Sequence, residues 1–166
     1  IYPTEGVWGI GCDALNEKAV KRIYELKSRP QDKSLILLCK NLESISNFLI
    51  PLTKKEMEYL DTISKDPVTV LYKFDIDTTP GHLQNSTGKL AIRVSTHYHL
   101  KTLFERFNNP IISTSANISG SDTINNIEEF KADFDFNDVA IYNKPLGNLS
   151  KPTPIIDLET KEVIRD

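Results

Sequence analysis

Short apolar runs alternate with longer polar stretches along the chain, and turn-forming residues separate them. Runs rich in β-branched residues predict strands, whereas apolar positions spaced three or four apart predict helices. The run at 35–39 is apolar throughout, so we expect a central strand covered on both faces. The pattern predicts strands or strand ends at 1–6, 7–14, 35–39, 68–74, 90–95, 111–112, 139–142, 155–157 and 163–165, the last two as a closing hairpin.

The helical signals lie between these strands. Asn16 can cap the first helix, and a capping-box pattern begins at Thr53. The polar stretch 75–88 contains a Pro-Gly pair and predicts a loop. Helices are predicted at 17–28, 42–48, 54–63, 98–107 and 126–134. Because parallel crossovers and hairpins are both implied, the predicted fold class is a mixed α/β sheet with flanking helices in one domain, 1–166.

Composition narrows the class of protein. A chain of 166 residues can bury a sizeable core, and its net charge of −3 argues against a protein wholly devoted to nucleic acid. Cys12 and Cys39 lie in apolar runs, which favours buried free thiols in a reducing compartment, so we expect a cytoplasmic protein. No apolar run approaches a membrane span, and no membrane partner is expected. The chain begins at Ile1, so a first strand or a targeting segment could precede it.

A hydroxyl-rich segment follows the apolar residues Ile111 and Ile112 and closes on Gly120. Ser113, Ser115 and Asn117 offer neutral donors to phosphate or carboxylate oxygens, and open α/β sheets bind ligands at the carboxyl ends of strands. The alternative is that these residues make turns that simply end the strand.

Basic residues supply the second candidate feature. The last turn of the first predicted helix carries Lys27 and Arg29, and Lys33 lies just beyond it. Cations are expected there in any case, because they favour a helix C-terminus. The functional alternative is a phosphate clamp. Arg93 lies within a predicted strand, either as an edge charge that opposes aggregation or as a carboxylate-binding group in a pocket.

Two other site classes find little support. His97 and His99 are two positions apart, but no Cys or carboxylate cluster completes a zinc set. A serine hydrolase needs a base and an orienting acid, and no nucleophile-elbow motif is present.

Four separated segments, taken together in their order and spacing, resemble one family. They are Tyr2-Pro3-Thr4-Glu5 with Val7-Trp8-Gly9 and Gly11-Cys12-Asp13; Leu26-Lys27-Ser28-Arg29-Pro30 with Lys33 and Leu35; Ala91-Ile92-Arg93-Val94 with His97; and Ser113-Thr114-Ser115-Ala116-Asn117-Ile118-Ser119-Gly120. Pro152-Thr153-Pro154-Ile155-Ile156-Asp157, followed by Val163-Ile164-Arg165, is a weaker match. The chain resembles the YrdC-type family, the bacterial threonylcarbamoyl-AMP synthases.

The resemblance implies a twisted, mostly open sheet with a concave, positively lined cavity. It implies an ATP-dependent synthase that joins L-threonine, bicarbonate and ATP and releases pyrophosphate, with Mg²⁺ arriving on ATP and no protein ligand nominated for it. The carboxylated threonine attacks the α-phosphate without a covalent enzyme intermediate. A separate threonylcarbamoyl transferase complex acts downstream on tRNA, and direct contact with tRNA or double-stranded RNA stays open.

Residue roles follow from the same resemblance. Lys27 and Arg29 match a pair placed against the triphosphate, where they stabilise charge, and Ser115 and Asn117 match a pair that hydrogen-bonds the nucleotide. Thr4, Arg93 and Ser113 match positions around threonine, Thr153 is placed with them, and Arg165 is placed with ATP.

Departures from the family pattern and two alternatives qualify the expectation. Gly6 stands where a second Thr is common, Lys65-Asp66 replaces Pro-Gly, and Pro154 replaces a Thr in the C-terminal loop.

One alternative is an RNA-binding or ribosome-maturation module that uses the same basic cavity. The other is the carbamoyl-adenylate module of a hydrogenase-maturation protein, although the larger flanking domains of such proteins are not in this sequence.

Overall fold

The computed structural model describes residues 1–30, 33–122, 138–149 and 151–165. Its strands are β1 (Tyr2–Pro3), β2 (Trp8–Asp13), β3 (Ile36–Cys39), β4 (Thr69–Lys73), β5 (Lys89–Val94), β6 (Ile111–Ser115), β7 (Ile155–Asp157) and β8 (Val163–Arg165). Its α-helices are α1 (Glu17–Leu26), α2 (Lys54–Ile63) and α3 (Tyr98–Arg106), with 3-10 helices at Glu43–Phe48 and Gly81–Leu83. Within these residues no helix combines the length and the apolar character needed to span a bilayer.

The strands form one eight-stranded open sheet in the order β1-β2-β6-β3-β5-β4-β7-β8. β3 runs parallel to β5 and antiparallel to β6, so the predicted central strand and mixed sheet are confirmed. β7 and β8 pair antiparallel, which confirms the closing hairpin. β5 lies inside the sheet between β3 and β4, so the interpretation of Arg93 as an edge charge is wrong.

Alternation along the strands gives the sheet two different faces. On one face Leu37, Ile92 and Ile112 belong to the main core, together with Val20 and Ile23 of α1. On the other face, α3 contributes to a smaller cluster. That cluster comprises Tyr2, Leu38, Leu100, Phe104 and Ile111.

The row of strand residues beside that smaller cluster is less bulky and partly polar. Ile36 lies opposite both Ala91 and Ser113 in register. Since these positions alternate with the main-core residues, they share a face with the α3 cluster. This row forms the floor of the cavity described below.

α1 ends two residues earlier than the predicted limit of 28. Asn16 caps its start, as expected, by accepting a hydrogen bond from the backbone N–H of Ala19. At the other end Ser28 adopts a left-handed conformation with φ of 47°, which an α-helix cannot continue. Lys27 therefore caps the helix, and Arg29 lies beyond it in the following turn.

Other predicted elements had mixed outcomes. The helix at 54–63 and its capping box are confirmed, whereas 42–48 forms a 3-10 helix instead of an α-helix. The predicted strand at 139–142 is wrong: two backbone hydrogen bonds with Ile1 hold this segment, too few for a ladder. The helix predicted at 126–134 lies outside the described residues.

Gly11 on β2 offers a test of the sheet packing. A Cβ atom there would clash with the Ile112 carbonyl oxygen and lie 2.5 Å from the Tyr2 hydroxyl. We expect Gly11→Ala to lower the free energy of unfolding by about 2 kcal/mol, since overpacking forces neighbours apart. Urea denaturation measures this change. Gly81→Ala is the matched control, because nothing lies within 4 Å of its added Cβ; equal effects of both variants would contradict the packing.

Candidate active site

A cavity of about 270 Å³ opens on the sheet face that carries Ile36, Ala91 and Ser113. Its walls come from the turn after β1, the segment after α1, the end of β6, the loop before β7, and β8. Cavities of about 290 and 760 Å³ occur elsewhere and are lined by none of the predicted site residues. The candidate site is therefore identified by its side chains and not by its size.

Most of the predicted site residues line this cavity, although they come from distant parts of the sequence. Those in its lining are Thr4, Arg29, Arg93, Ser113, Ser115 and Arg165. Lys27, Asn117 and Thr153 lie directly behind the wall, each hydrogen-bonded to a lining residue. The structure thus brings the whole predicted set into one region.

Lys27 is buried, with its side chain directed at the loop that follows β6. Its Nζ donates hydrogen bonds to the carbonyl oxygen of Ser115 at 2.5 Å, to that of Asn117, and to Asn117 Oδ1 at 3.4 Å. Ser115 Oγ also donates to Asn117 Oδ1 at 2.6 Å. The ammonium therefore organises the Ser-x-Asn loop, and direct contact of Lys27 with a triphosphate stays a prediction.

Arg29 takes a different direction from Lys27 because of the left-handed Ser28 between them. Its guanidinium donates to the carbonyl oxygens of Lys33 at 3.2 Å and Ser34 at 2.8 Å. These backbone contacts hold the planar group at the cavity wall, where it can face an anion.

Arg93 is a buried residue of the cavity lining and forms an ion pair with Glu5. Arg93 Nη2 donates to Glu5 Oε2 at 2.5 Å, and Ser95 Oγ donates to Glu5 Oε1 at the same distance. Arg93 Nη1 lies 3.5 Å from Thr153 Oγ1, and the buried Arg93 Nε has no hydrogen-bond partner among the residues that the structure describes. Sequence reasoning missed the roles of Glu5 and Ser95, since only the folded chain brings them to Arg93.

The C-terminal segment closes the same wall. Arg165 Nη2 donates to the Thr153 carbonyl oxygen at 2.6 Å, and the hydroxyls of Thr153 and Thr69 are 2.9 Å apart. Burial, and next the charge of Arg93, lower the pKa of Arg165. Arg165 and Arg93 both contact Thr153, so they are close enough to act on one region of the cavity.

The charged side chains in the described lining of the cavity are all positive. Its described lining residues include Arg29, Arg93 and Arg165 together with several hydroxyls, but no aspartate or glutamate. Glu5 lies behind Arg93 and balances that one charge. Guanidinium groups and hydroxyls arranged in this way suit phosphate and carboxylate oxygens.

The three departures from the family pattern lie in three different parts of the structure. A Cβ at Gly6 would be 2.6 Å from the Lys151 carbonyl oxygen, so the loop packs where a threonine would need room. Pro154 keeps a backbone role, because its carbonyl oxygen accepts from Thr69 N at 2.9 Å. Lys65 and Asp66 line a separate cavity of about 130 Å³.

Histidine and cysteine chemistry does not add a metal centre to the described part of the chain. There, no group of three His, Cys, Asp or Glu side chains could hold a metal ion. The rings of His97 and His99 lie 5.5 Å apart between centroids. Cys12 and Cys39 are both free thiols, and Cys39 is buried.

The buried ammonium of Lys27 predicts a pH dependence of stability. Burial, and next the charge of Arg29, lower its pKa to about 8. The unfolded chain keeps this proton up to about pH 10.5, so between these values it binds more protons than the folded protein does. The contribution of Lys27 to the free energy of unfolding therefore rises with pH across this window.

Urea denaturation of wild type and Lys27→Met at pH about 7.5 and about 9.5 measures this effect. We expect the stability difference, wild type minus variant, to be larger at the higher pH. Lys101→Met, at an exposed site on α3, controls for the loss of any lysine. A difference that stays constant or shrinks as pH rises would contradict the assignment.

Comparison with known proteins places the chain in a family. The Sua5/YciO/YrdC family model, described as telomere recombination, matches residues 1–166. A threonylcarbamoyl-AMP synthase of Aliivibrio fischeri is 34% identical over 166 residues, which cover 99% of this chain and 89% of that protein. A protein of the same name from Pseudoalteromonas translucida is 35% identical over 170 residues, with the same coverage.

Solved structures agree with the sheet topology. P. abyssi Sua5 complexed with L-threonine superposes with a TM-score of 0.82 and 28% identity, covering 94% of this chain and 46% of the Sua5 chain. The chain thus spans about half the length of that Sua5. E. coli YciO superposes with a TM-score of 0.75 and 26% identity, covering 99% of this chain and 81% of YciO. On the sequence match and the shared fold together, the chain belongs to the Sua5/YciO/YrdC family.

Proposed function

We propose that this protein is a threonylcarbamoyl-AMP synthase, which forms threonylcarbamoyl adenylate and pyrophosphate from L-threonine, bicarbonate and ATP. The names of its curated relatives support this function. The observation that carries it is one cavity lined by Arg29, Arg93 and Arg165 together with Ser113 and Ser115. Such a cavity suits two anionic reactants that must be held side by side.

The threonine half of the cavity is assigned to the wall around Arg93. Its guanidinium would bind the substrate carboxylate, while Thr4 and Ser113 lie in the same lining. Thr153 supports this wall from behind through its contacts with Arg93 and Thr69. P. abyssi Sua5, solved with L-threonine, has the same fold, which supports threonine as a substrate.

The nucleotide half is assigned to the part of the lining that carries Arg29 and Ser115. Arg29 would neutralise the triphosphate, and Ser115 and Asn117 would hydrogen-bond the nucleotide from the loop that Lys27 holds. Arg165, on β8, is the remaining candidate for a phosphate contact at the rim.

The chemistry requires positioning more than protein nucleophiles. An oxygen of the N-carboxylated threonine attacks the α-phosphorus, the bond to the β-phosphate oxygen breaks, and pyrophosphate leaves. The protein lowers the barrier by bringing the two anions together and by balancing the charge that grows on the phosphate oxygens. Fixed guanidinium groups such as Arg29 are suited to this task.

Mg²⁺ is part of the proposal as the partner of ATP. The described lining residues offer hydroxyls but no carboxylate, which fits a cation held mainly by phosphate oxygens and water. Bound there, Mg²⁺ would supply charge neutralisation at the phosphates. No protein ligand is assigned to it.

Partners and location follow as further proposals. A separate threonylcarbamoyl transferase complex would receive the adenylate and modify tRNA, and this chain would act before tRNA is bound. Free thiols at Cys12 and Cys39 suit the reducing cytoplasm, where this modification would take place.

The alternative of an RNA-binding module in the same cavity is not favoured, because the curated relatives that match almost the whole chain are named as synthases. Structural likeness to hydrogenase-maturation HypF, at 19% identity, shows a shared fold alone.

Pyrophosphate release tests the proposal directly. We expect release from ATP and bicarbonate that requires L-threonine. Arg29→Ala should lower kcat/KM for ATP by about a hundredfold, since a charge-stabilising donor is lost. Ser115→Ala and Lys27→Ala should lower it as well.

Arg22→Ala is the matched control, because Arg22 is a surface arginine of α1 paired with Asp138 outside the cavity. Its activity should equal that of wild type. The proposal fails if folded wild-type protein releases no threonine-dependent pyrophosphate; steeply salt-dependent RNA binding would then favour the alternative.

A further inference from the structure

Glu5 is a buried carboxylate to which the proposed reaction assigns no role. It is 7% exposed, and so is Arg93, its ion-pair partner. Both Glu5 oxygens are engaged, Oε2 by Arg93 Nη2 and Oε1 by Ser95 Oγ, each at 2.5 Å. Glu5 is not among the described residues that line the cavity, whereas Arg93 is, so the effect of Glu5 on a substrate must pass through Arg93.

The orientation of the Arg93 guanidinium depends on this pair. Within the described part of the chain, its other side-chain contact is a long one of 3.5 Å to Thr153, and Nε has no partner. A planar guanidinium held strongly at Nη2 by a carboxylate and more weakly at Nη1 by a hydroxyl has its remaining N–H groups restricted in direction. Glu5 and Ser95 thus determine where those groups point.

The backbone of the same segment ties this pair to the cavity wall. The Glu5 carbonyl oxygen accepts from Leu149 N at 2.8 Å, and the Thr4 carbonyl oxygen accepts from Gly147 N at 2.9 Å. Thr4 in turn lines the cavity beside Arg93. A shift of Glu5 would therefore move the arginine while the backbone keeps the wall in place.

We propose that Glu5, itself held by Ser95, is the positioning residue that aims Arg93 at the carboxylate of L-threonine. This inference rests on the proposed function and adds a residue that determines threonine affinity. Glu5 balances the charge of Arg93, so recognition relies on the direction of the N–H groups. A shorter side chain at position 5 that keeps the carboxylate charge should then weaken threonine binding and leave ATP binding unchanged.

Two charge-conserving variants test this. Glu5→Asp withdraws the carboxylate by one methylene, and Ser95→Ala removes the hydroxyl that holds it. We expect Glu5→Asp to raise KM for L-threonine about tenfold, as for loss of a well-aligned hydrogen bond to a charged group. Ser95→Ala should raise it less, and KM for ATP should stay within about twofold of wild type in both.

Glu56→Asp is the matched control. Glu56 accepts hydrogen bonds from Thr53 at 2.6 and 2.7 Å in the capping box of α2, outside the cavity. The same shortening there should lower the melting temperature without changing KM for L-threonine. Calorimetric titration with L-threonine should give the same order of affinities as KM.

The outcomes separate this inference from the proposed function. Wild-type protein without threonine-dependent pyrophosphate release would overturn the proposed function and this inference with it. An active wild type with unchanged threonine KM in both variants, or with equal rises for threonine and ATP, would overturn the inference alone. If Glu5→Asp does not fold, Ser95→Ala decides by the same criteria.

Discussion

The site depends on the buried ammonium group of Lys27. Within the described part of the chain, its hydrogen-bond partners are backbone carbonyl oxygens and one side-chain amide oxygen, and none is a carboxylate. An ammonium out of water is costly unless oxygen atoms surround it, and Lys27 finds them at the carbonyls of Ser115 and Asn117. This requirement joins the end of α1 to the end of β6, elements that are far apart in the sequence. It also directs the Ser115 and Asn117 side chains, because the loop cannot move without leaving the charge unsatisfied.

The second buried cation of the site, Arg93, is stabilised in a different way. Arg93 is buried beside a carboxylate, and the pair is completed by a hydroxyl of Ser95. One wall therefore has a cation fixed by carbonyl groups, and the other has a cation fixed by an acid. Arg29 and Arg165 also line the cavity, so positive charge is available where two anions must approach each other.

Much of this arrangement could be predicted from the sequence, for physical reasons. The uninterrupted apolar run of β3 identified the centre of the sheet, and the strand that changes into hydroxyl residues identified the wall at Ser113 and Ser115. The different directions of Lys27 and Arg29 could not be predicted, because they follow from one left-handed residue, Ser28, and not from a pattern.

Contacts between residues that are far apart in the sequence could not be predicted either. Glu5 and Arg93 are 88 residues apart, and nothing local indicates that they meet. The apolar segment 139–142 showed the reverse error: its composition favours a strand, but hydrogen bonds with Ile1 alone do not make a ladder. Local pattern thus predicted the elements, and the resemblance to a family assigned the site residues, whereas the contacts that orient them required the folded chain.

The central claim is that this cavity joins threonine, bicarbonate and ATP into one adenylate. Mass spectrometry of a reaction with ¹³C-labelled bicarbonate tests it most directly. The account predicts threonylcarbamoyl-AMP that carries the label and forms only when all three substrates are present. Folded protein that yields no labelled adenylate under these conditions would contradict the account.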